Sequence, residues 1–130
     1  MSAPAKVSII GNTQAYVNVR AAVLQHFWLV ETVALDAGEV PLFAAELMVL
    51  CASIAAEEQQ DWVDRARVKR PHILIVRMDG FNHGPLAGAD AMVDDGEGPG
   101  ALVSTIYELL TERGLESREW PEIPDGGWVQ

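Results

Sequence analysis

Cys51 is the single thiol in a chain of 130 residues, and it poses the first chemical question. It closes the run Ala45-Glu46-Leu47-Met48-Val49-Leu50, which reads as a buried strand. A thiol becomes a nucleophile only beside a cation, a helix N-terminus or a base. His26 ends the first helix and His72 begins the fourth strand, both at the far end of the sheet from Cys51. His83 lies in a glycine-rich loop from which it can approach. Cys51 therefore reads as a small apolar side chain that ends a strand.

Three other groupings have the right residue types for chemistry. Asp94, Asp95 and Glu97 could hold a cation with backbone oxygens, but their spacing is not that of a calcium loop. Acidic residues just before Pro99 suit the N-terminus of the last helix instead. Arg65, Arg67, Lys69 and Arg70 offer an anion patch, yet they also close a helix that opens on Glu57, Glu58, Asp61 and Asp64. Both ends thus complement the helix macrodipole, so the structural reading is preferred. Gly11-Asn12-Thr13 follows a strand and precedes a helix, where backbone amides can hold a phosphate. In those three residues the chain is similar to the phosphate loop of flavodoxins, without the hydroxyl-rich loop typical of them. Helix capping explains the same residues more simply. The cobalamin-binding variant of such folds needs an Asp-x-His-x-x-Gly loop, a spacing that Asp79-Gly80-Phe81-Asn82-His83-Gly84 does not have.

The elements that must position these groups alternate between strand and helix. Residues 6–10 form an apolar strand stopped at Gly11, and Asn12 or Thr13 caps the following helix. In that helix Ala15, Val19, Ala22, Val23, His26 and Phe27 share one face. Residues 30–35 are rich in β-branched side chains and predict a second strand. Asp36-Ala37-Gly38 is a turn, and Pro41 suits the first turn of a short helix reaching Glu46. Residues 47–50 are a third strand, 57–70 a helix closed by Pro71, and 72–76 a fourth strand. That strand is continuously apolar after its first residue, as burial on both faces requires. Residues 78–88 read as a loop or one short helix, 91–93 as a fifth strand and 94–100 as a loop. Leu102, Val103, Ile106, Tyr107, Leu109 and Leu110 mark a last helix ended by Gly114. Residues 1–114 then form one domain, and residues 115–130 a tail carrying Trp120 and Trp128.

Strand–helix alternation predicts an α/β fold, a doubly wound five-stranded parallel sheet covered on both faces. Functional groups gather at the carboxyl ends of such strands. Composition narrows the partners. A net charge of −10 opposes nucleic-acid binding, which needs a basic face. No apolar run approaches the roughly 18 residues of a membrane span. The apolar run after Lys6 is too short for a secretion signal. One cysteine excludes an internal disulfide and suits a reducing cytoplasm.

Over residues 6–113 the chain resembles the receiver domain of two-component response regulators. The resemblance rests on element order, on the Asp36-Ala37-Gly38-Glu39 turn, and on Gly88-Ala89-Asp90 leading into strand five. It implies the strand order 2-1-3-4-5. Receivers hold a divalent cation on an acidic pair after strand one and phosphorylate an aspartate ending strand three. A hydroxyl ending strand four and a lysine ending strand five respond. By position the acidic pair falls at Gly11 and Asn12, the phosphoacceptor at Cys51, the hydroxyl at Val76 or Arg77, and the lysine at Asp95. Every such position departs from the pattern. Gly11 and Asn12 offer no carboxylate to magnesium, and Asp95 would repel a phosphoryl group. Arg77 either pairs with Asp95 or both are separately solvated.

The resemblance therefore implies a degenerate receiver: no enzyme, no cofactor, no phosphotransfer, and a role as a cytoplasmic interaction module. Its partner is another protein or a second copy of the chain. Receivers commonly meet partners through strand five, its preceding helix and the last helix, which places Glu108, Glu112 and Arg113 on the expected surface, with Trp120 and Trp128 following. The alternative is a flavodoxin-like ligand-binding protein or enzyme using the loop after strand one.

Overall fold

The structure, a computed structural model, describes residues 5–79 and 88–114. The chain runs β1 (Lys6–Gly11), α1 (Gln14–Leu24), β2 (Leu29–Ala34), a 3₁₀ turn (Leu35–Ala37) and β3 (Leu47–Leu50). It continues through α2 (Ala56–Lys69), β4 (Leu74–Asp79), β5 (Ala91–Asp94), a second 3₁₀ turn (Asp95–Glu97) and α3 (Pro99–Arg113). The five strands are all parallel in the order β2-β1-β3-β4-β5, the expected doubly wound topology.

Alternate residues of each strand feed two cores, because strand side chains point to opposite faces in turn. Val7, Ile9, Val49, Val76 and Met78 meet Val17, Ala21 and Leu24 of α1 and Leu102, Val103 and Ile106 of α3. Ile10, Met48, Leu50 and Ile75 meet Trp62, Val63 and Ala66 of α2 on the other face. Helix ends follow the sequence cues. Thr13 Oγ1 accepts the Tyr16 N–H at 3.3 Å. Glu57 and Glu58 open α2, while Arg67 and Lys69 close it. Gly114 ends α3 in the left-handed region at φ 82°.

Three expectations need correction. The expected buried face of α1 is rotated. Val17, Ala21 and Leu24 are buried, whereas Val19 is 67% exposed, Ala15 and Ala22 are exposed, and Val23 is half-buried. The helix ends at Leu24, so His26 and Phe27 lie beyond it. Apolar residues line more than one side of this helix, and only docking on the sheet selects a stripe.

The short helix from Pro41 to Glu46 does not form; residues 39–44 run without regular structure. A helix of so few residues cannot repay its own nucleation. Long-range partners take its place. Arg70 Nη1 donates to the Ala44 carbonyl at 2.9 Å, Lys6 N donates to Glu46 Oε1 at 2.6 Å, and the Phe43 ring packs on Trp62. Phe43 adopts φ 55°, a left-handed conformation a bulky residue enters only under tertiary constraint.

Strand four is displaced. It runs from Leu74 to Asp79, and His72 sits in the preceding turn. Arg67 organises that turn, donating to the carbonyls of Pro71 and Ile73 through Nη1 and to Gly88 and Asp90 Oδ2 through Nη2. Asp90 Oδ2 also accepts the Ile75 N–H at 2.7 Å, locking the lead into β5 against β4. Arg77 therefore lies inside the strand instead of ending it. The expected loop or helix at 78–88 falls mostly on residues outside those described, as does the tail with Trp120 and Trp128.

The rotated face of α1 is directly testable. Leu24→Ala should lower the unfolding free energy by about 2–5 kcal/mol. Val19→Ala should change it by no more than about 0.5 kcal/mol. Urea denaturation of both variants measures the contrast, and equal losses would return the buried face to Val19.

Candidate functional site

Strand register sets the geometry of the carboxyl ends. Ile10 pairs with Leu50, and Leu50 with Arg77, so the next row runs Gly11, Cys51, Met78 and Val93. This row carries no carboxylate, hydroxyl or lysine. The Cys51 N–H extends the ladder to the Ile10 carbonyl at 2.9 Å, and its side chain is 0% exposed. A thiol so enclosed packs as a small apolar group and offers no approach to a substrate.

Gly11 is held as glycine by packing. A Cβ there would stand 2.7 Å from Val17 Cγ1, 3.4 Å from Cys51 Cβ and 3.5 Å from Cys51 Sγ. Helix α1 therefore sits directly over the end of β1, in the space an acidic side chain would need. Asn12 is spent on the neighbouring loop. Its backbone N–H donates to Ser53 Oγ at 3.2 Å, and its Nδ2 donates to the Ser53 carbonyl at 2.6 Å. Its carbonyl accepts the Asp36 N–H at 2.8 Å. The loops after β1, β2 and β3 are thus fastened to one another by these hydrogen bonds. Thr13 caps α1, so the loop from Gly11 to Thr13 uses its polar groups inside the fold.

The residues expected at the strand-four and strand-five ends are not brought to the Cys51 row. Val76 is fully buried and level with Val49, two residues short of that row. Arg77 is one residue short and only 1% exposed. It is buried, so the solvated alternative does not hold. Its Nε donates to Gln59 Oε1 at 2.9 Å, and its Nη1 contacts Met92 Sδ at 3.4 Å. Asp95 opens the second 3₁₀ turn, just past β5, and its side chain lies outside the description. Asp94 and Glu97 form a capping box across that turn: Asp94 Oδ1 accepts the Gly96 N–H at 2.8 Å and Glu97 Oε1 the Asp94 N–H at 3.2 Å. Among the described residues no three His, Cys, Asp or Glu side chains gather as metal ligands would.

Gln59 is the residue the sequence reading missed. It is fully buried on α2 and works from both ends of its amide. Nε2 donates to the Cys51 carbonyl at 3.0 Å and reaches the Met78 carbonyl at 3.5 Å, while Oε1 receives Arg77. A single polar side chain thereby joins the ends of β3 and β4. The signal was present: Gln59 shares the apolar stripe of Trp62, Val63 and Ala66, where an uncharged polar residue is unexpected.

The outer surface is sorted similarly. Arg65 pairs with Asp61 and lies over Trp62, and Arg70 pairs with Glu46. With Arg67 holding the strand-four turn, the basic cluster serves the fold, as the macrodipole argument anticipated. Glu108 and Glu112 are exposed along α3. Arg113 is exposed too, but its Nη1 donates to the His72 carbonyl at 2.7 Å.

No family model matches this sequence, and no curated protein matches it. Solved structures do. The chain is similar to a CheY-like response regulator receiver domain protein from Methanospirillum hungatei JF-1, with a TM-score of 0.71 and 22% identity. That match covers 87% of this chain and 98% of the other. It is also similar to a two component transcriptional regulator AraC from Clostridium phytofermentans ISDg, with a TM-score of 0.68 and 9% identity over 85% and 98% of the two chains. The fold is the CheY-like receiver fold.

The crowding at Gly11 can be tested by restoring an acid there. Gly11→Asp should destabilise by about 1–3 kcal/mol through overpacking against Val17. Adding Val17→Ala should recover part of that loss, with a favourable coupling above about 0.5 kcal/mol in a double-mutant cycle. Additive losses in denaturation would place the strain elsewhere.

Proposed function

We propose that this chain is a receiver-like signalling module that takes no phosphoryl group and acts by presenting a surface to a protein partner or a second copy. The observation that carries this reading is the closed strand-end row. Gly11 and Cys51 offer no carboxylate to magnesium, and Asn12 is committed to Ser53. The protein is then neither an enzyme nor a cofactor carrier, and it works in the cytoplasm. Its net charge of −10 and the internal use of Arg67 and Arg70 disfavour nucleic acid. No described helix is long and apolar enough to cross a membrane.

The proposed docking surface combines the outer face of α3, at Glu108, Glu112 and Arg113, with β5 and its following turn. Trp120 and Trp128 follow α3 in sequence, and large aromatic groups are favoured anchors at interfaces. In this reading the tail packs against the domain or against another chain.

Two measurements check the reading. Incubation with magnesium and a small phosphodonor such as acetyl phosphate should leave the intact mass unchanged; a stoichiometric, acid-labile phosphoryl adduct would overturn it. Deletion of residues 117–130 should change the melting temperature or the mass in solution, since it removes both tryptophans. A truncated protein with unchanged stability, mass and partners would reduce the tail to a passive extension.

A further inference from the structure

The three methionines among the described residues are placed very unequally. Met48 is 1% exposed and Met78 is 3% exposed, both inside the sheet core, whereas Met92 on β5 is 57% exposed. The register pairs Met92 with Arg77, so both side chains share the α2 face of the sheet. There the Met92 sulfur receives Arg77 Nη1 at 3.4 Å. A thioether is a weak acceptor for a guanidinium. Arg77 passes the contact inward, through Nε to Gln59 and through Gln59 to the carbonyls of Cys51 and Met78.

We propose that Met92 is an oxidation site for peroxide, and that its sulfoxide is read by Arg77 and relayed through Gln59 to the ends of β3 and β4. The inference is independent of whether the chain accepts phosphate. In the step itself the O–O bond of the peroxide breaks and one oxygen bonds to Sδ. Sulfur loses two electrons in becoming a sulfoxide. The peroxide is reduced: its second oxygen leaves as hydroxide and takes up the one proton released by the transferred oxygen, giving water. The Met92 side chain, 57% exposed as a residue, can be reached by peroxide, while the buried core shields Met48 and Met78.

The product differs from the reactant in the one property Arg77 senses. Oxidation converts a flexible apolar side chain into a polar one whose oxygen is a strong acceptor. Rotation about the terminal bonds of the side chain can bring that oxygen to Nη1. The guanidinium is a rigid plane, so a pull on Nη1 moves Nε with it. Nε is the atom bound to Gln59, and the other end of the Gln59 amide holds the Cys51 carbonyl. The Met92 sulfur is thereby linked to the strand-end row by two side chains.

The full chain treated with dilute hydrogen peroxide tests this. Peptide mass mapping should show one oxygen on Met92 before any on Met48 or Met78. In the singly oxidised protein the NMR signals of Arg77 Nε–H, the Gln59 side-chain amide and the Ala52 backbone amide should shift, and methionine sulfoxide reductase should return them. Met92→Gln supplies a neutral acceptor oxygen without peroxide and should move the same signals in the same direction. Met92→Leu should hold them still under peroxide. Oxidation of Met92 that leaves Gln59 and Ala52 unmoved, or oxidation of Met92 no faster than that of Met48 and Met78, would overturn the proposal.

Discussion

A guanidinium buried to 1% exposure inside a parallel sheet is the constraint to which the carboxyl end of this fold is arranged. Arg77 brings a planar guanidinium with five N–H donors into that interior. An uncompensated buried charge is severely unfavourable, and its donors must be met by acceptors held in place. Gln59 meets one of them. To do so it must sit on the sheet-facing stripe of α2, and its second amide atom must be satisfied as well. The carbonyls of Cys51 and Met78 provide that. The position of α2, the ends of β3 and β4 and the environment of Cys51 are therefore parts of one arrangement.

The other half of the strand-end row is governed by close approach. Gly11 lets α1 come down onto β1 until Val17 and Cys51 meet over it. Asn12 and Ser53 then fasten the first and third loops, and Asp36 ties the second to Asn12. In a receiver that binds a cation, an ion gathers these loops through carboxylates. Here hydrogen bonds between neutral groups gather them, and steric packing fills the remaining space.

Much of the fold was legible in the chain. Apolar runs of four to six residues alternating with amphipathic stretches specify a parallel sheet, and the order 2-1-3-4-5 that the resemblance to receivers implied is the one observed. A cap at Asn12 or Thr13, of which the structure uses Thr13, the stop at Gly114 and the charge gradient along α2 were readable because they depend on neighbours only a few residues away. The failures have a common form. Arg77 looked like the end of a strand because charge usually marks a surface, and a buried partner eighteen positions away is invisible to local pattern. The α1 stripe was misplaced because that helix is apolar on more than one side. The segment from Pro41 to Glu46 had helix-starting chemistry, yet the Glu46 carboxylate, the Ala44 carbonyl and the Phe43 ring were claimed by Lys6, Arg70 and Trp62 from elsewhere.

The sequence by itself determined the class of fold and the absence of carboxylates at Gly11, Asn12 and Cys51, because periodicity and residue identity are local properties. Only the tertiary structure decided that Arg77 is buried, that Gln59 bridges two strand ends and that Met92 stands at the outer end of that bridge. Those facts depend on register and on which helix face meets the sheet. A shift of one residue in a strand exchanges its two faces, so no local pattern specifies which side chains will meet across the fold.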